Sequence, residues 1–180
     1  MLLRMPPFEN FDFSSFWETA DYAICEYVDT SPNAEVIAEV ERRLGYKLPA
    51  AYVALAAHQN GGMPLKTAHR TDSATSWAQG HVAITGIYSI GWDKANSLCG
   101  TFGSQFWIEE WGYPDIGVYF ADCPSAGHDM FCLDYRSCGP AGEPSVVHVD
   151  QEFDFKVTIV APSFEAFIRS LQESADFHIN

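Results

Sequence analysis

VIAEVERRLGYKLPAAYVALAAHQNGG, residues 36–62, divides at Leu48-Pro49 into two helical halves. In the first, Val36, Ile37, Val40 and Leu44 share one face, Glu35, Glu39, Glu41, Arg42 and Arg43 cover the other, and Gly45 closes the segment. This predicts a helix over about 32–44, entered through Thr30-Ser31-Pro32, with Ser31 as N-cap and Pro32 in the first turn. Pro49 opens the second helix, whose apolar stripe is Tyr52, Leu55 and Ala56. Asn60-Gly61-Gly62 ends it, because Asn and Gly tolerate the left-handed backbone that a helix C-terminus commonly needs.

Upstream, Ser15 and Glu18 match a capping box, and Phe16, Trp17, Ala20, Ala23, Ile24 and Tyr27 recur at helical spacing, predicting a helix over 15–28. Downstream, residues 63–80 are polar and aperiodic and read as an exposed loop. The pattern then changes. Val82–Ile90, Ile116–Ala121, Met130–Tyr135, Ser145–Val149 and Phe155–Val160 are short runs rich in Val, Ile, Tyr and Phe, separated by Gly, Pro, Asp and Asn. They read as successive antiparallel strands. The aromatic stretch 104–114 fits either a short helix or a strand and loop. Pro162-Ser163 caps a last helix, with Phe164, Phe167, Ile168 and Leu171 on one face. Helices, then a meander, then a helix make an α+β domain.

At 180 residues the chain is one ordinary domain, and 47% apolar residues, 14% of the chain being aromatic, supply a large core and exclude wholesale disorder. Twenty-four acids against ten bases give −14, which repels phosphate backbones and anionic lipid, so neither nucleic acid nor membrane is expected as a partner. No apolar run approaches the ~20 residues of a membrane span, and MLLRMPPFENFDF lacks a secretory pattern, so a soluble, cytoplasmic protein is expected. The acidity is uneven. Residues 1–41 carry −8, residues 42–108 carry +4, residues 109–154 carry −9 and residues 155–180 carry −1.

Catalytic and metal chemistry find little support. Cys25, Cys99, Cys123, Cys132 and Cys138 are odd in number and contain no C-x-x-C pair, which favours reduced cysteines acting as small hydrophobes over disulfides or structural zinc. His128, Asp129 and His148 lie near several of these cysteines, in spacings that match no usual zinc pattern; His128 reads as a turn residue. No nucleophile elbow, phosphate loop or dinucleotide fingerprint occurs. Glu109-Glu110 sits between Trp107 and Trp111, but adjacent carboxylates diverge and cannot flank one glycosidic bond. No catalytic residue, metal or cofactor is expected.

A binding surface is the remaining possibility. Asp150, Glu152 and Asp154 alternate in VDQEFDF, so an extended backbone would turn all three carboxylates to one face, where a basic partner would relieve their repulsion. A turn between Val149 and Phe155, with acids solvating the link, is the alternative. With Glu109, Glu110 and Asp115 from the same acidic block, these are the candidate partner-binding residues.

The ordered set Glu41, Leu44-Gly45, Leu48-Pro49, Tyr52, Asn60-Gly61-Gly62, Trp111-Gly112-Tyr113-Pro114, Leu133-Asp134-Tyr135-Arg136 and Ser163-Phe164 resembles the SUKH superfamily, which includes the Smi/Knr cell-wall-synthesis regulators of yeast. The resemblance implies a single α+β domain over about 32–175, a mostly antiparallel curved sheet packed with N-terminal helices and a C-terminal helix. Residues 1–31 would be a helical extension packed on it. It also implies a non-enzymatic, protein-binding role. Bacterial members are similar to immunity proteins that bind and block a toxin domain, often a basic nuclease; the yeast relatives suggest a scaffold or regulator instead. Asp134 is expected to cap backbone amides in the LDYR turn.

Overall fold

The computed structural model describes residues 5–177, so Met1–Arg4 of the leader reading lie outside the described residues. Three helices come first: α1 (Asp21–Tyr27), α2 (Ala34–Leu44) and α3 (Ala50–His58). Asn33, not Ser31, caps α2, its Oδ1 accepting from the Val36 N–H at 2.9 Å, and Gly45 takes the left-handed C-cap at φ 80°. Behind Pro49, α3 follows as expected.

A two-stranded hairpin, β1 (Ala68–Arg70) with β2 (His81–Ala83), precedes β3 (Gly86–Ile87), the short helix α4 (Ser104–Glu109), and four longer strands. These are β4 (Gly117–Asp122), β5 (Asp129–Asp134), β6 (Ser145–Asp150) and β7 (Lys156–Ala161), each within one residue of its sequence expectation. With β3 they form an antiparallel sheet whose spatial order is the chain order, β3-β4-β5-β6-β7. Bulges at Tyr119/Ala121 and Val146/Val147 interrupt its register. Helix α5 (Phe164–Arg169) closes the single α+β domain, capped by Ser163 Oγ on the Ala166 N–H.

Alternation along the strands sends side chains to two covered faces. On one, Phe120 meets Phe164 and Phe167 of α5 at 5.5 and 5.9 Å, Phe131 meets Phe167 at 5.1 Å, and Tyr52 of α3 meets Phe164 at 4.6 Å. On the other, Ser104 Oγ of α4 accepts the Tyr119 N–H at 2.9 Å, and Tyr113 packs on Tyr119 and Phe155. A sheet buried on both faces reads as continuous apolar runs, and all of β4 except Asp122 is buried.

Three local readings are overturned by partners distant in sequence. Residues 15–28 are not one helix. Phe13–Ser15 is a single 3-10 turn, after which Phe16 and Glu18 pair with Leu65 and Met63 (Leu65 N–H to Phe16 O and Glu18 N–H to Met63 O, both 2.8 Å), and α1 begins only at Asp21. The Glu18 carboxylate accepts from Thr19 and Ala20 N–H at 2.9 and 3.1 Å, and no Ser15–Glu18 box forms. Residues 63–80 are not wholly an exposed loop, since Ala68, His69, Thr71 and Thr75 are buried and β1 runs through them. The run 82–90 breaks into β2 and β3 because Ile84 still pairs with the first hairpin strand (N–H to Thr67 O, 2.8 Å), whereas the Thr85 N–H turns to Asp122 O of β4, also at 2.8 Å.

The aromatic extension packs inward. Phe8, Phe11, Phe13 and Phe16 form one ring cluster with centroids 4.8–6.4 Å apart, and Phe8 and Phe16 are buried. Tyr27 ties α1 to the sheet, its hydroxyl donating to Asp122 Oδ2 at 2.7 Å while the Gly86 N–H donates to Oδ1 at 3.0 Å.

Burial pushes the Asp122 carboxyl up to about 6, against the opposing pull of those hydrogen bonds. A raised folded pKa favours the proton-bound fold, so this contribution is greatest at and below about pH 4 and disappears as pH rises through about 6. The wild type is expected to lose, between pH 4 and pH 7, up to about 3 kcal/mol more stability than an Asp122→Asn variant. Urea unfolding of both chains at the two pH values measures it. A larger loss in the variant contradicts the assignment.

Candidate functional site

Asp150, Glu152 and Asp154 do not share a face. Gln151–Phe153 is a single 3-10 turn, and Asp154 takes a left-handed conformation at φ 54°, so the alternation that an extended chain would give is broken. Asp150, at the end of β6, is buried, accepting from the N–H and hydroxyl of Ser76, both at 2.7 Å, and so anchors the 71–80 loop instead of facing a partner. The turn alternative is the one that the chain adopts, and Asp150 leaves the set of surface candidates.

The other five candidates are exposed, and His128 links one of them, Glu152, to the aromatic end of α4. The His128 Nδ1 is 2.6 Å from Glu152 Oε1, and its ring lies edge-on to Trp111, 6.0 Å between centroids. Trp111 directly follows Glu109-Glu110, at the end of α4. Glu109 Oε1 accepts from Gln105 Nε2 at 2.8 Å, and Gln105 lines, with Asp115, Tyr46, Tyr135 and Arg136, an open cleft of about 400 Å³. Phe153, 46% exposed, adds an apolar element beside Glu152 and Asp154. Gly127 lets Trp111 settle on the turn: a Cβ there would stand 2.8 Å from Trp107 and 3.1 Å from Trp111, and its φ of 98° suits glycine.

Sequence spacing placed these acids in one block but missed His128 and Trp111 as the link. The signal lay in the β5–β6 hairpin. Asp129 pairs with Asp150 across the ladder, and the Gln151 N–H reaches His128 O at 2.9 Å, which sets 128 beside 152. At Asp134 the expectation holds, its Oδ1 accepting the Arg136 N–H at 3.0 Å while Arg136 grips both oxygens.

A second polar group is buried. Ligand atoms of Cys123, Asp129 and His148 lie within 4.8 Å of one another, although their spacing in sequence suggested no grouping. Asp129 organises them. His148 Nε2 donates to Oδ2 at 2.6 Å and the Ser125 hydroxyl donates to Oδ1, with the Cys123 thiol close by. The carboxylate is thus supplied with two side-chain donors from its own chain.

Three of the thiols are held in their protonated form by burial. Burial pushes Cys123 well up, helped by Asp129 and Asp122, and pushes Cys132 well up and Cys99 to about 11. All five cysteines are free, and Cys25 and Cys138 are exposed, so only part of the set acts as buried hydrophobes.

No curated protein matches the chain. The model of the SUKH_6 family, described as SMI1-KNR4 cell-wall, matches residues 34–168, from the start of α2 into α5 and across the whole sheet. With that match spanning most of the 180 residues, the chain belongs to the SMI1-KNR4 (SUKH_6) family.

Proposed function

We propose that this protein is a non-enzymatic binding domain of the immunity type, which neutralises a basic toxin domain by occupying its substrate cleft with an acidic rim. The observation carrying the reading is the exposed acidic set Glu109, Glu110, Asp115, Glu152 and Asp154, in which His128 bridges Glu152 to Trp111 and Gln105 holds Glu109. Such carboxylates speed association with a cationic cleft and make it salt-sensitive. Trp111 and Phe153 supply the aromatic anchors that interfaces favour.

The test begins with capture of partners from lysate of the protein's own source at low and at ~0.5 M salt, where the Debye length falls to a few ångströms. A single basic toxin fragment retained at both salts is expected. The captured partner is then titrated against a chain with Glu109, Glu110, Glu152 and Asp154 each changed to Lys. Association at low salt is expected to slow by at least ~10-fold, with unfolding free energy within about 1 kcal/mol of wild type. Retention of only abundant basic proteins, all lost at high salt, refutes the immunity reading and favours a scaffold or regulator. Unchanged association in the variant moves the interface elsewhere on the surface.

A further inference from the structure

The two edges of the five-stranded sheet are treated differently. At the β3 edge the backbone is paired: the Gly62 N–H donates to Ile87 O at 3.0 Å and the Ile87 N–H to Gly62 O at 2.8 Å, so the 60–62 segment covers that strand. At the opposite edge, β7 pairs with β6 alone, and among the described residues no backbone group on its outer side finds a partner. An open row of N–H and C=O groups is a template for another strand.

Side chains point the same way. Tyr119, Cys132, Val147 and Ile159 stand directly opposite one another across β4, β5, β6 and β7, forming one row on one face. The first three are fully buried, whereas Ile159 is 73% exposed. The row therefore runs out into solvent at the edge strand. Proteins blunt such edges with inward charges, proline or a very short strand. Here KVTIVA has its one charge at the first position, Lys156, and Pro162 comes only after the last.

We propose that β7 pairs antiparallel with β7 of a second copy, giving a two-fold dimer with a continuous ten-stranded sheet. Charge selects the occupant. In a chain of net −14, residues 155–164 (FKVTIVAPSF) contain no acid and one base, so this edge is where two copies meet with little like-charge repulsion. Because the five-stranded sheet has one open edge among the described residues, isologous pairing through it ends at two copies and propagates no fibre. Packing Ile159 beside its counterpart extends the buried row across the junction. Six-residue pairing buries little area, so the association is weak, with a dissociation constant on the order of 10 µM. The acidic rim takes no part, and the inference stands or falls without the immunity reading.

Sedimentation velocity on the full chain from ~1 to ~200 µM is expected to move from the 20.0 kDa monomer to twice that mass. Ile159→Lys, at an exposed position, is expected to remain monomeric throughout with an unchanged far-ultraviolet circular dichroism spectrum. Amide hydrogen exchange at high concentration is expected to protect the outward N–H groups of β7 in the wild type and leave them unprotected in the variant. A wild type that is monomeric at ~200 µM overturns the proposal. So does a dimer that survives Ile159→Lys, or one whose β7 amides exchange as fast as in the monomer.

Discussion

His148→Ala is expected to lower the unfolding free energy by about 3–5 kcal/mol, the range for breaking a buried pair by removing one partner. His148 is fully buried and Asp129 nearly so, and Nε2 donates to the carboxylate at 2.6 Å. Truncation removes that donor and opens a cavity beside Phe131, 5.6 Å from the imidazole. His148→Phe separates the two effects, because it fills the space without restoring the donor; it is expected still to cost roughly 2 kcal/mol or more. Pairing it with Asp129→Leu removes the stranded charge. That double variant is expected to be more stable than His148→Phe alone, a positive coupling typical of neighbours in one network. Urea denaturation followed by tryptophan fluorescence gives all three values. A loss below ~1 kcal/mol in His148→Ala would mean that Ser125 suffices for Asp129.

Asn60→Ala is expected to cost roughly 2–5 kcal/mol, since it strands several buried backbone groups at once. Asn60 is buried, and its amide serves two segments of the chain. Nδ2 donates to Thr30 O at 2.8 Å and to Ile90 O at 3.0 Å, and Oδ1 accepts the Ile90 N–H at 2.7 Å. The link before α2 is thereby fastened to the segment after β3. Gly61 completes the junction: at φ 84°, an added Cβ would stand 2.3 Å from Tyr27 O and 2.9 Å from Ser89 N. Asn60→Asp tests the geometry, because it keeps an acceptor for Ile90 N–H while losing both donors, and is expected to fall on the destabilised side as well. Thermal unfolding of the two variants measures the effect. A midpoint within about 2 °C of wild type for Asn60→Ala would refute the hub.

This motif illustrates where sequence reading stops. Asn60-Gly61-Gly62 reads as a helix terminator, and α3 does end just before it, at His58, with Gln59 in an extended conformation. The left-handed freedom is used at Gly61 to approach Tyr27, and Gly62 covers the edge of β3. Both partners lie more than twenty residues away, so helical periodicity carries no information about them. Ser15 and Glu18 fail for the same reason: Met63 and Leu65 claim the backbone that a capping box would have used.

What the amino-acid sequence determined by itself is whatever depends on neighbours a few residues apart. The apolar stripes of α2 and α3, the Gly45 cap, the four long strands within a residue, the Ser163 cap of α5 and the acidic block at 109–154 are of this kind. Tertiary structure alone decided which acids face water. Asp150 is drawn inside by Ser76, 74 residues away, and the β5–β6 register sets His128 against Glu152, which stays at the surface. It also decided that one sheet edge is covered and the other left open. Those outcomes turn on hydrogen-bond partners and buried area contributed by distant segments, and a buried polar group takes its partner from whatever the fold brings within reach.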